Sequence, residues 1–267
     1  MKGFILSFRS EFYKSRKTPG FWGAIILPLF ITVLVSVGVY LKSEKFVGLP
    51  PMVLWLQYAS FSLGIMGSLL LPMYAIFVAY SVNNIEHKAD TWKTLFSLPI
   101  SRWAVYAAKY FYALFLVFLC MMLFALFTIA LGNLLSLLKP ELKFNAYHME
   151  LEFMEIYFKL FLSALGILSL QFLMSLLWSD FLKPMGIGFM LTIVGLIVAQ
   201  KWEYSYTLPY AHPILALTSM FKKGLGKASA SSTINVDIFT KDVFVSLIIG
   251  VVVFVVGYFI VSRRSVK

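Results

Sequence analysis

The sequence is poor in charge and has almost none of the residues that build soluble active sites. Of its 267 residues only 13% are Asp, Glu, Lys or Arg, against 60% hydrophobic and 17% aromatic. With a mean hydropathy of +0.85, that composition lies outside the range of a soluble globular domain. The single cysteine, Cys120, sits in an apolar run. This excludes an intrachain disulfide framework, a zinc site or a paired redox centre, and leaves a small buried apolar residue. His87, His148 and His212 are scattered, and neither a His-Glu-x-x-His pair nor a Gly-x-Ser-x-Gly elbow occurs. There is no Gly-x-x-x-x-Gly-Lys-Ser/Thr phosphate loop, since Gly224-Leu225-Gly226-Lys227 lacks the upstream glycine. The chain is therefore not expected to be an enzyme. The formal net charge is +11, but the basic residues form no aromatic-interleaved patch, so nucleic acid is not an expected partner.

What the chain does have is long apolar runs. Six segments bounded by charge cover 21–41, 53–82, 103–131, 160–179, 184–200 and 243–262. Roughly 20 residues cross the hydrocarbon core, so each can span as one helix, and the runs do not alternate as barrel strands would. The expectation is an all-α membrane protein with six transmembrane helices in one domain, 1–267. The second and third segments are long enough to project beyond the bilayer, and Pro72 is expected to kink the second. Lys109 and Lys159 read as snorkelling groups at helix ends. Inside the spans, Asn133 and Gln171 are the strongest polar candidates, favoured as hydrogen bonds between helices rather than as an ion path.

Before the first span, Phe4, Ile5, Phe8 and Phe12 share a face of a segment carrying Lys2, Arg9, Lys14, Arg16 and Lys17 against one acid, Glu11. This predicts an amphipathic interfacial helix whose aromatic face enters the headgroup boundary and whose basic residues meet anionic membrane lipid. No small-residue cleavage site follows, so the first apolar run is expected to be retained as a span. With the N-terminus inside, thirteen of the 23 Lys and Arg residues fall on the cytoplasmic side. That bias has the sign the positive-inside rule requires, and it puts both termini in the cytoplasm.

The connection 139–159 carries Glu141, Glu150, Glu152 and Glu155, read as a solvated acidic helix start rather than a metal site. In the longest polar connection, 201–242, the apolar piece Ile214 to Phe221 is too short to cross. It is either a short re-entrant or interfacial helix or a loop lying on the membrane surface.

Asn83 to Lys109 interrupts the apolar pattern. Ile85, Ala89, Trp92 and Phe96 fall on one helical stripe, with Glu86, His87, Asp90, Lys93 and Thr94 elsewhere, predicting a short amphipathic helix over Asn83 to Leu98. Pro99 is expected to end it, and Ser101 to cap the next helix. A Glu86, a Thr91-Trp92-Lys93-x-Leu95 run, Leu98-Pro99-Ile100-Ser101-Arg102 and then Lys109 together resemble the cytoplasmic coupling region of ABC-2 type transporter permeases. The wording is most similar to the lantibiotic-immunity and bacitracin-type permeases. Gly is common in that family where this chain has Asp90.

The resemblance implies a six-span permease subunit in the bacterial cytoplasmic (inner) membrane, paired with a second, identical or related, permease chain. It also implies a separate ABC ATPase that carries ATP and Mg, with no cofactor on this chain. The connection before the last span would be an extracellular gate, and the cargo an exported or extracted amphiphile such as an antimicrobial peptide or drug. In the coupling helix, Trp92 would anchor, Glu86 and Asp90 would offer charge to the ATPase, Lys93 would face it, and Arg102 would fix the turn beneath the third span. A secondary carrier or membrane scaffold without an ATPase is the alternative.

Overall fold

The computed structural model describes residues 2–97, 99–227 and 236–263, with the side chains of 93, 96 and 220–227 excepted. Among these the chain is helical and has no strand. The helices are α1 (Lys2–Ser15), α2 (Pro19–Leu41), α3 (Pro51–Ile65), α4 (Leu71–Ala89), α5 (Trp92–Ser97), α6 (Arg102–Leu138), α7 (Glu150–Ser163), α8 (Leu165–Leu177), α9 (Leu182–Lys201), α10 (His212–Lys227) and α11 (Lys241–Arg263). Six stretches are long and apolar enough to cross a membrane: α2, α3 with α4, α6, α7 with α8, α9 and α11. The protein is an all-α, multi-pass membrane protein.

Two of these stretches run much further than their apolar cores. Pro51–Ala89 has 39 residues and Arg102–Leu138 has 37, so each extends to about 55 Å or more at 1.5 Å per residue, against a hydrocarbon core of about 30 Å. The irregularity expected at Pro72 is a π-turn over Met66–Leu70, one turn earlier. Proline has no N–H to return to the preceding turn, and the wider turn absorbs that missing bond. Gly67 lies in the π-turn, and a Cβ there would meet Leu217 of α10 at 2.0 Å. The close seat of α10 on the second span depends on that missing side chain.

The fourth stretch begins at Glu150, ten residues before its apolar run, with Glu150 and Glu152 in the first turn, where negative charge complements the helix N-terminus. Lys159 is consequently not a snorkelling end residue. It is buried inside α7, and its Nζ donates to Ser219 Oγ of α10 at 2.8 Å. Between α7 and α8 the helix breaks at Ala164. Ser246 of α11 repairs the break: its hydroxyl lies 3.0 Å from the Leu162 and Ser163 carbonyls and accepts the Gly166 N–H at 2.9 Å. Buried backbone groups left over at a break must find such a partner.

Connections far from α5 are folded onto the bundle as well. Trp55 donates its indole N–H to the Phe144 and Tyr147 carbonyls at 2.8 and 3.0 Å, pinning the α6–α7 connection over α3. Of the two polar candidates, Gln171 is buried and donates to Tyr210 Oη at 2.6 Å, whereas Asn133 is exposed. The apolar piece Ile214 to Phe221 lies within the longer α10, and the run Ala228 to Thr233 lies outside the described residues.

α9 is held through glycines. A Cβ on Gly195 would lie 2.5 Å from the Tyr210 carbonyl oxygen, while one on Gly186 would meet nothing within 4 Å. Backbone cannot step aside as a flexible side chain can, so Gly195→Ala should cost about 1–3 kcal/mol by overpacking and lower the thermal midpoint in detergent. Gly186→Ala in the same helix should leave the midpoint unchanged or slightly raised.

Candidate functional site

Around Asp90 the chain reverses because α4 ends on a left-handed residue. Asp90 has φ 48° and ψ 37°, and both its N–H and that of Thr91 return to the Glu86 carbonyl. Glycine fits such a terminating position most easily, with Asn and Asp next, so Asp is accommodated there. The single amphipathic helix expected over Asn83 to Leu98 is therefore two helices: the end of α4 and the six-residue α5. α5 stops at Ser97 before Pro99, with Leu98 outside the described residues. Ser101 caps α6, accepting the Ala104 N–H at 3.3 Å.

Beneath this turn lies a closed ring of four charges. Lys14 donates to Glu11 Oε1 at 3.1 Å and to Glu86 Oε1 at 2.9 Å, while Lys109 donates to Glu11 Oε2 at 2.9 Å and to Glu86 Oε2. Every carboxylate oxygen thus has one lysine, and the ring is neutral. Lys109 also reaches the Val82 carbonyl at 3.2 Å. The side chains of Glu11, Glu86 and Lys109 are 4%, 2% and 1% exposed, that of Lys14 31%. Charges so buried survive only when paired and hydrogen-bonded. Burial opposes the charge on Lys14, but Glu11 and Glu86 outweigh it and raise its pKa above the usual lysine value.

These positions correct two expectations. Glu86 is not free to face a partner, because α1 and α6 enclose its carboxylate. Lys109 is not a snorkelling end residue, since it lies seven residues into α6 and points into the protein. α1 is likewise less interfacial on its aromatic side than its sequence implies. Phe4 packs edge-on against Phe111 and Phe8 against Tyr112, with centroids 6.0 and 5.9 Å apart, so that face meets α6.

The ring holds α5 through Trp92, whose ring lies 5.6 Å from Lys109 Nζ, within cation–π range. The Trp92 indole N–H donates to His87 Nδ1 at 3.2 Å. Because that nitrogen accepts, the neutral imidazole carries its proton on Nε2, which donates to the Ser175 carbonyl at 3.0 Å. Asn83 adds a bond to Ser175 Oγ at 2.8 Å and one to the Phe172 carbonyl at 3.3 Å. α5 is thereby tied at once to α1, α4, α6 and the end of α8. Arg102 reaches further than the turn it was expected to fix, donating to the Ser262 carbonyl at the end of α11 at 3.0 Å. Lys93 falls on α5, its side chain outside the described set, and Asp90, Thr94 and Ser97 are exposed beside it.

Sequence reasoning singled out Glu86 and placed Lys109 in the same motif, but showed neither their pairing nor Glu11 and Lys14 as partners. Two signals were present. Glu11 and Ser15 lie on the same side of α1 as Phe4 and Phe8, so a lone acid sits on the apolar face, and Lys109 stands well inside an apolar segment. Among the described residues no cluster of His, Cys, Asp and Glu could hold a metal ion.

Removing one member leaves a buried charge unpaired, which costs about 3–5 kcal/mol. Lys109→Met should therefore lower the thermal midpoint in detergent far more than Lys14→Met, whose ammonium is partly solvated. Adding Glu86→Gln to Lys109→Met should recover part of the loss, because one lysine then faces one carboxylate. A midpoint in the double variant no higher than that of Lys109→Met would contradict the ring.

Searches of curated proteins and of solved structures each returned no match. A protein-family model described as ABC-2 family transporter protein matches residues 7–195, over two thirds of the chain, running from within α1 into α9 and containing all four ring residues and α5. The chain therefore belongs to the ABC-2 family of transporter proteins and is the membrane-spanning permease component of an ABC transporter.

Proposed function

We propose that this permease is driven by a separate ATP-hydrolysing subunit that docks on α5, and that it exports or extracts an amphiphilic compound such as an antimicrobial peptide or drug. The observation that carries the reading is the construction of α5: its inner residue, Trp92, is locked to a ring joining three elements, while its outer surface is exposed. A push on Asp90, Thr94 and Ser97 meets no slack before it reaches the bases of the second and third spans. Asp90 and Lys93 supply the contacting charge, and Trp92 is the anchor. Glu86 acts from behind by holding Lys109, and Arg102 links the same end to α11. ATP and Mg belong to the partner subunit, and a second permease chain, identical or related, completes the pathway.

In this reading the α5 end faces the cytoplasm of a bacterial cell, with the protein in the inner membrane and both termini inside. The excess of basic residues at that end supports the orientation. The α10 region then lies outside as a gate.

Co-expression with an ABC ATPase and pull-down of the tagged permease in detergent tests the docking surface. The wild type should retain the ATPase, and Asp90→Asn with Lys93→Glu, which keeps a residue suited to the left-handed turn, should reduce retention at least fivefold without changing the thermal midpoint. If the wild type retains no ATPase, the motor-driven reading fails and a carrier or scaffold replaces it.

A further inference from the structure

α1 turns a second face away from the bundle, and that face is built differently from the one against α6. The Arg9 guanidinium carbon lies 5.6 Å from the centroid of the Tyr13 ring and that of Arg16 lies 5.3 Å from the same centroid. Arg9 also donates to Tyr13 Oη at 3.4 Å. Both guanidinium groups thus lie against the ring of one exposed tyrosine, from consecutive turns of the helix. No carboxylate lies within ion-pair distance of either guanidinium among the described residues, so the local positive charge is left for an outside anion. The only acid in this part of the chain, Glu11, points to the opposite side of α1 and spends both oxygens on Lys14 and Lys109. The ring therefore consumes the negative charge that would otherwise neutralise this pair.

We propose that Arg9, Tyr13 and Arg16 form a clamp for the phosphate of an anionic lipid headgroup. Planar guanidinium groups match phosphate oxygens two at a time, which point-charge lysines do not. The setting selects a lipid over an acidic protein surface. Ile5 and Leu6, on the same outward face, are 63% and 60% exposed, and Trp22 at the start of the first span is 51% exposed. Apolar side chains flanking the clamp and a tryptophan at the start of a span suit the boundary between headgroups and acyl chains. The clamp holds the outer side of α1 to the membrane while the ring holds its inner side to the permease. It rests on α1 lying at the membrane surface and does not require an ATPase.

The test uses the full chain, purified with phosphatidylglycerol and phosphatidylcholine, with retained lipid counted by native mass spectrometry and affinity read by titration of phosphatidylglycerol. Arg9→Gln with Arg16→Gln should lose one retained phosphatidylglycerol and weaken binding about thirtyfold, from two basic residues at roughly 1 kcal/mol each. Arg9→Lys with Arg16→Lys should fall between, Tyr13→Phe should bind as the wild type does, and Tyr13→Ala should weaken binding by removing the ring on which both guanidinium groups rest. All four variants alter exposed side chains, and an unchanged thermal midpoint shows that they fold. Equal phosphatidylglycerol affinity in wild type and the glutamine variant would overturn the proposal. So would full displacement of the lipid by inorganic phosphate, or loss of a co-expressed ATPase by the glutamine variant with lipid retention intact.

Discussion

Four paired charges, three of them buried, sum to zero and hold the α5 end of this protein together. Glu11, Lys14, Glu86 and Lys109 come from three elements far apart in sequence, and the three buried ones could not stay ionised there alone. An apolar quartet of similar volume would pack as well and cost less to desolvate. The ring supplies geometry instead: two lysines and two carboxylates close only when α1, the end of α4 and the start of α6 are in register. Trp92 and His87 extend that registration to α5 and α8, so a six-residue helix with almost no propensity of its own becomes a fixed part of the molecule.

From that end, two unusually long helices run to the other. α6 is unbroken, and α4 continues into α3 through the π-turn on which Leu217 of α10 sits. Elsewhere in the bundle, gaps in helical pairing are closed by specific partners, with Ser246 at the α7–α8 break and Trp55 over the α6–α7 connection. In the proposed function, a displacement at α5 reaches α10 through α4 and the π-turn. The π-turn at Gly67 is the one place where the second span departs from α geometry, and it lies directly under α10.

Much of the architecture was legible in the sequence, because a bilayer demands apolar length and the chain supplies it six times. The helix ends were less legible. Hydropathy sees only the apolar core, so it stopped the second and third spans short and began the fourth at Leu160 rather than Glu150. The reversal at Asp90 was hidden because a left-handed residue at a helix end leaves little trace when it is not Gly. The ring was hidden for a different reason. Its members lie 98 and 72 residues apart across the Glu11–Lys109 and Lys14–Glu86 pairs, and periodicity within one helix carries no information about such partners. What periodicity did mark was an acid on the apolar face of α1, and only tertiary packing shows why it is there.

Hydrogen–deuterium exchange of the detergent-purified protein, comparing wild type with Glu11→Gln, tests the central claim most directly. If the ring joins α1 to α5, removing one charge in α1 should speed exchange both in α1 and in residues 86–97, which share no backbone with it. Faster exchange confined to α1, with residues 86–97 as protected as in the wild type, would contradict the account.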